Sequence, residues 1–193
     1  MTGRLVVLAS GTGTNLQAIM HACSTNVLAA DVVAVISNNG DARALQRARD
    51  AGIEAVFLEK VQGELRRDYD TRLAACVAQY VPDYVVLAGW MLLLSANFLD
   101  HVGSPVINLH PALPGELPGV NSIERAHSEA VLGERVRSGA MVHFVPDEGV
   151  DNGPVIASVE IAVSAQDSLE EFTKRVHEAE HKLLVDALIQ LCN

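Results

Sequence analysis

A chain of 193 residues, 49% apolar and only 20% charged, is long enough to bury a substantial core and too hydrophobic to be disordered. Its formal net charge of −10 excludes a general nucleic-acid surface, which needs clustered Lys and Arg against phosphates. Any phosphate bound here must be held by a local set of donors.

The apolar runs near residues 84–94 are broken by Gly89 and too short to span a bilayer. The amino-terminal stretch lacks a small-residue cleavage site and runs into a Gly/Thr-rich loop, so no leader is expected and the cytoplasm is the default compartment. Three widely spaced cysteines, Cys23, Cys76 and Cys192, form neither a disulfide framework nor a metal knuckle. Cys23 and Cys76 are expected in the core.

Short Val/Ile/Leu runs alternate with longer helical patterns, which predicts βαβ units on a mostly parallel sheet. Strands are expected at residues 4–9, 31–37, 55–58, 84–88 and 105–109, with helices at 15–22, 42–51 and 67–80. The continuously apolar strands suit a sheet covered on both faces. Beyond Asn108 the texture changes: a Pro/Gly-rich stretch at 111–119, a helix near 122–132, and strands near 138–145 and 155–163. Ser168 opens the last helix, with Glu171 at capping-box spacing. Leu169, Phe172, Val176, Ala179, Leu183 and Leu184 are expected to form its apolar stripe. The fold class is therefore α/β, a Rossmann-like doubly wound sheet with helices on both faces and a C-terminal hairpin and helix, in one domain spanning 1–193.

Two segments carry candidate chemistry. The first is Ala9-Ser10-Gly11-Thr12-Gly13-Thr14-Asn15 between strand and helix. Its glycines allow close backbone approach, and the first N–H groups of the helix can hold a phosphate. It is not a full G-x-G-x-x-G and has no Walker lysine. Strand two ends in Ser37-Asn38-Asn39, with no acid for a dinucleotide ribose. A bare strand-to-helix turn accounts for the same residues.

The second is Ile107-Asn108-Leu109-His110-Pro111, where Asn108 and His110 share one face of a strand end. Asn108 offers an N–H to a developing oxyanion, and His110 can exchange a proton near neutral pH. A purely structural Asn-x-His is the plainer explanation. A loop at 147–153, rich in Asp, Gly and Asn, can return Asp151 to this point to hydrogen-bond the imidazole and raise its pKa. An acidic hairpin turn explains that loop equally. His143, on an apolar strand, reads as a satisfied core histidine.

These residues resemble a family. Ser10-Gly11-Thr12-Gly13-Thr14-Asn15, Val85-Val86-Leu87-Ala88-Gly89-Trp90-Met91, Asn108-Leu109-His110-Pro111-Ala112-Leu113 and Asp147-Glu148-Gly149-Val150-Asp151-Asn152-Gly153-Pro154 look like phosphoribosylglycinamide formyltransferase, in order, over residues 4–184. The resemblance implies transfer of a formyl group from 10-formyltetrahydrofolate to glycinamide ribonucleotide in purine synthesis, with no metal. It implies catalytic Asn108, His110 and Asp151, and ribonucleotide contacts at Gly13, Thr14, Asn15, His177 and Glu180. Folate contacts fall on Arg66, Met91, Leu92, Leu93, Leu94, Asn108, Val145 and Asp147. Residues 1–104 then form a phosphate-binding half and 105–193 a catalytic and folate half. Small-molecule substrates are the implied partners, with no nucleic acid or membrane, in a monomer or homodimer.

The chain departs from the family pattern at Leu92, where arginine is usual, at Asn121, where histidine is usual, and at His177, in place of lysine or glutamine. Pro146 lengthens the loop before Asp151, and a short C-terminal tail common in relatives is missing. Methionyl-tRNA formyltransferase is disfavoured by the absence of a basic surface and a further domain. The rival functions are those of a formyltetrahydrofolate hydrolase, a sugar-nucleotide formyltransferase and a silent folate or phosphate binder.

Overall fold

The computed structural model describes residues 2–192. Its elements are β1 (Gly3–Leu8), α1 (Thr14–Ser24), β2 (Ala30–Ser37), α2 (Arg43–Asp50), β3 (Glu54–Phe57), α3 (Arg66–Ala78), β4 (Tyr84–Leu87), α4 (Ala96–His101), β5 (Val106–His110), α5 (Ser122–Val131), β6 (Arg137–Phe144), β7 (Val155–Ala162) and α6 (Leu169–Cys192). The seven strands lie in the order β3-β2-β1-β4-β5-β6-β7. The first five pair in parallel, and β6 and β7 add antiparallel to β5.

The strands are apolar throughout because both faces are covered. Along β1, Leu5 and Val7 join a core with Leu16, Ile19, Leu45, Leu183 and Leu184. Val6 and Leu8 face the other way, into a core with Tyr69, Leu73 and Phe98. A third core beneath α5 joins Ala112, Leu117 and Ala126 to Phe172 and Val176 of α6. The expected capping box is formed: Ser168 N donates to Glu171 Oε2 at 3.0 Å, and Glu171 N to Ser168 Oγ at 3.2 Å.

Some expectations need correction. Helix α4 is absent from the predicted elements, because six residues carry too little periodicity to read; only Phe98 anchors it among the buried residues. Leu169 is exposed rather than part of the α6 stripe, which runs instead through Phe172, Val176, Glu180, Leu183, Leu184, Ala187 and Leu188. Cys23 and Cys76 are half-buried at the margins of the cores.

The strand order places a switch point between β1 and β4, where a doubly wound sheet opens a crevice at the carboxyl ends of its strands. Buried Ser10 ties that edge together. Its N donates to Gly89 O at 3.0 Å, its hydroxyl to Asn38 Oδ1 at 2.6 Å, and Met91 N donates to the hydroxyl at 3.0 Å. The asparagines after β2 thus brace the crevice instead of facing a ribose.

Candidate active site

At this edge a cavity of about 430 Å³ is lined by the β1–α1 loop, the segments after β4 and β5, the β6–β7 loop and one face of α6. Asn108 and His110, two apart on β5, converge on Asp151 as their spacing requires. Asn108 Nδ2 donates to Asp151 Oδ1 at 3.0 Å, and His110 Nδ1 stands 3.2 Å from Asp151 Oδ2. Asp151 reaches them from a left-handed backbone conformation (φ 52°), where Gly119 N donates to Oδ2 at 2.8 Å. Glu148 fastens the same loop, accepting from Ala96 N at 2.9 Å.

A fourth side chain joins this cluster. His143 lies opposite Asn108 in the β5–β6 ladder. Its Nδ1 meets Phe144 O at 2.8 Å, while Nε2 lies 3.2 Å from Asn108 Nδ2 and 3.5 Å from Asp151 Oδ1. It is the buried, satisfied histidine that its apolar strand implies, but it also belongs to the polar cluster. That second role has no signal in the sequence, since only the antiparallel register puts it opposite Asn108.

The charge balance differs from expectation in one respect. Burial is the largest influence on His110 and holds its pKa below the ordinary value; Asp151 and the Glu116 and Leu117 carbonyls push upward without overcoming it. Asp151 therefore acts in the expected direction, but the net shift is down, not up. Both ring nitrogens face oxygens, Asp151 at 3.2 Å and Leu117 O at 3.1 Å, and a neutral ring can donate to only one of them. Burial also works to raise Asp151. Hydrogen bonds from His143 and the Gly119 N–H, with the charges of His110 and His143, reverse that and keep the carboxyl below its usual range.

At the other end, Gly13 caps α1 at φ 70° with no side-chain acceptor, so the first helical N–H groups are left for a ligand. The loop's carbonyls are turned to α2: Gly11 O accepts from Ala44 N at 3.1 Å, and Thr12 O from Arg47 Nε at 2.9 Å. A Cβ on Gly13 would lie 2.8 Å from Ala44 Cα. Glycine is required there by its own backbone angle and by α2, a different reason from close approach to phosphate.

Thr14, Asn15, His177 and Glu180 line the cavity beside this loop. Glu180 is 5% exposed, and burial pushes its carboxyl up to about 7 against the lowering effect of the Asn15 side chain.

Among the expected folate contacts, Met91, Leu92, Leu93, Leu94, Asn108, Val145 and Asp147 line the cavity. Met91 and Leu93 are exposed apolar lips, whereas Leu94 is buried. Arg66 is not part of the lining; its Nε sits 3.7 Å from buried Asp70, which also accepts Ser95 N at 2.8 Å, and its Nη2 is buried without a partner. The division at residue 104 does not separate the two ends, because His177 and Glu180 of the second half join Gly13, Thr14 and Asn15 of the first. Asn121 lies on the cavity wall and caps α5 at φ 58°.

Among the described residues no group of three or more His, Cys, Asp or Glu stands ready for a metal, and no helix is long and apolar enough to cross a membrane.

A model of the formyl transferase family matches residues 3–188. The chain belongs to the formyl transferase family. It is 42% identical to phosphoribosylglycinamide formyltransferase of Escherichia coli strain K12, over 93% of this chain and 82% of the relative. The Dictyostelium discoideum phosphoribosylglycinamide formyltransferase is 41% identical, with 97% of each chain covered. Glycinamide ribonucleotide transformylase 1 of Symbiobacterium toebii superposes with a TM-score of 0.91 at 34% identity, covering 99% of this formyl transferase and 88% of the other chain.

Proposed function

We propose that this formyl transferase moves the formyl group of 10-formyltetrahydrofolate to the amine of glycinamide ribonucleotide, a step of purine synthesis. The observation that carries the reading is one cavity with uncapped helix N–H groups at one end and the Asn108–His110–Asp151 cluster within it. The loop suits the ribonucleotide phosphate, and Glu180 suits its ribose. The apolar lips Met91 and Leu93 suit a flat pteridine. Arg66 is outside the lining, but its side chain is partly exposed and suits an anionic tail of the folate.

In this mechanism the amine attacks the formyl carbon. The substrate reaches the site partly as an ammonium and passes a proton to His110, which leaves a neutral nucleophile facing an imidazolium beside Asp151. The new C–N bond places negative charge on the formyl oxygen. Asn108 and His110 address that charge, and His110 gives up its contact with the Leu117 carbonyl to do so. Collapse restores the carbonyl and breaks the bond to the folate nitrogen, which receives the proton released by the attacking amine. Asp151 stabilises the imidazolium throughout and supports that transfer through water.

The test mixes the protein with 10-formyltetrahydrofolate, with and without glycinamide ribonucleotide, and follows deformylated folate by absorbance. Turnover only with the ribonucleotide is expected. Turnover without it would make the protein a hydrolase, and no turnover at all a silent binder.

A further inference from the structure

The residues lining the cavity include five carboxylates, Glu124, Asp147, Glu148, Asp151 and Glu180, and three imidazoles, His110, His143 and His177, but no lysine or arginine. A phosphorylated substrate therefore enters an acidic site with no fixed positive charge on its walls. Helix N–H groups supply part of the attraction, since a helix end carries about half a unit charge. Arg47 of α2, which reaches the loop, is committed to Thr12 O and to Gln17 Oε1, each at 2.9 Å. His110 and His143 are taken up by the Asp151 cluster. His177 remains, half-exposed on α6, one helical turn from Glu180 with 4.0 Å between Nε2 and Oε2.

Building on the functional reading above, which this assignment deepens, we propose that His177 is the cation for the substrate phosphate. It takes up a proton as the phosphate binds, so that ribonucleotide affinity falls as pH rises. In the free protein, burial holds the His177 pKa below its ordinary value, with Glu124 of α5 pushing the other way. From α6 itself, His181 opposes the charged ring, and Glu180, 4.0 Å away, is held largely protonated by its burial and adds little charge; from α1, only the uncharged Thr14 and Asn15 line this part of the cavity. A bound phosphate adds negative charge and lifts the His177 pKa, and the difference between free and bound values sets the proton uptake. Between those two values affinity weakens by up to roughly tenfold per pH unit. A lysine at this position stays charged across the range and shows no such dependence.

Calorimetry tests this with glycinamide ribonucleotide and, separately, with ribose 5-phosphate, from about pH 6.5 to 8.5, above the second ionisation of the phosphate near about 6. Paired buffers of different ionisation enthalpy report protons taken up. Wild type is expected to bind both ligands with net uptake. His177→Gln should lose most of the uptake and most of the pH dependence, and bind at low pH about as weakly as wild type does at high pH. His177→Lys should restore tight binding at every pH without uptake. Unchanged uptake in His177→Gln overturns the proposal, and if Glu180→Gln abolishes the uptake instead, the proton belongs to the carboxyl. Ribose 5-phosphate binding with His177-dependent uptake, but no binding of the ribonucleotide, would sink the functional reading and leave the phosphate site standing.

Discussion

Glu180 gives a prediction whose size follows from its burial. The side chain is 5% exposed and its carboxyl is pushed up to about 7 from an ordinary value of 4.5. The folded protein therefore keeps a proton that the unfolded chain has released, and stability is lost as pH rises from the unfolded value through the folded one. The difference, 7 − 4.5 = 2.5 units, corresponds to about 3 kcal/mol, most of it between about pH 5 and 8.

Glu180→Gln keeps the shape and a neutral polar group but removes the titration. Urea unfolding of both proteins at the two pH values isolates the effect, because the wild-type-minus-variant difference cancels every other titrating group. The variant should gain about 3 kcal/mol relative to wild type on going from pH 5 to pH 8, or a midpoint shift of about 6–12 °C in a thermal melt. An equal difference at both pH values would refute the claim that the buried carboxyl stays protonated. A protein that carries such a cost holds the group for its site, so the same substitution should weaken ribonucleotide binding.

Other perturbations test the rest of the site. In Asp151→Asn the His110 pKa falls further, so the acid limb of the kcat profile should move to lower pH while the plateau drops about 10- to 10³-fold; parallel profiles for mutant and wild type would rule out an electrostatic role for Asp151. Gly13→Val should destabilise the whole fold as well as weaken ribonucleotide binding, because the new Cβ meets Ala44 at 2.8 Å and φ is 70°. A wild-type melting curve for that variant would contradict the steric argument. Trp90, the only tryptophan, is 8% exposed on the cavity wall, and its fluorescence should be quenched by a folate analogue. Unchanged emission at saturation, with binding confirmed by calorimetry, places the pteridine elsewhere.

Features that depend on local pattern were legible before any coordinate. Unbroken apolar strands imply a sheet covered on both faces. Ser168 and Glu171 at capping-box spacing imply a helix start. Asn108 and His110 two residues apart imply a shared face. A Gly/Thr-rich stretch at Ser10 to Asn15 between an apolar run and a helical pattern implies a strand–loop–helix turn. Each reads correctly because the constraint acts within a few residues, and the four motifs that resemble the family follow the same order along the chain.

Features that depend on what arrives from elsewhere exist only in the folded chain. His143 became part of the polar cluster around Asp151 through the antiparallel register of β6 on β5. Gly13 is confined by Ala44 of α2, which no local reading of its loop includes. Leu169 is exposed while Phe172 in the same first turn of α6 is buried, so which side of that turn is covered is fixed only by the neighbours it packs against. The sign of the His110 shift was settled in the same way. Asp151 acts as its chemistry requires, but desolvation grows with every layer packed around the ring, and that sum exists only once the chain is folded.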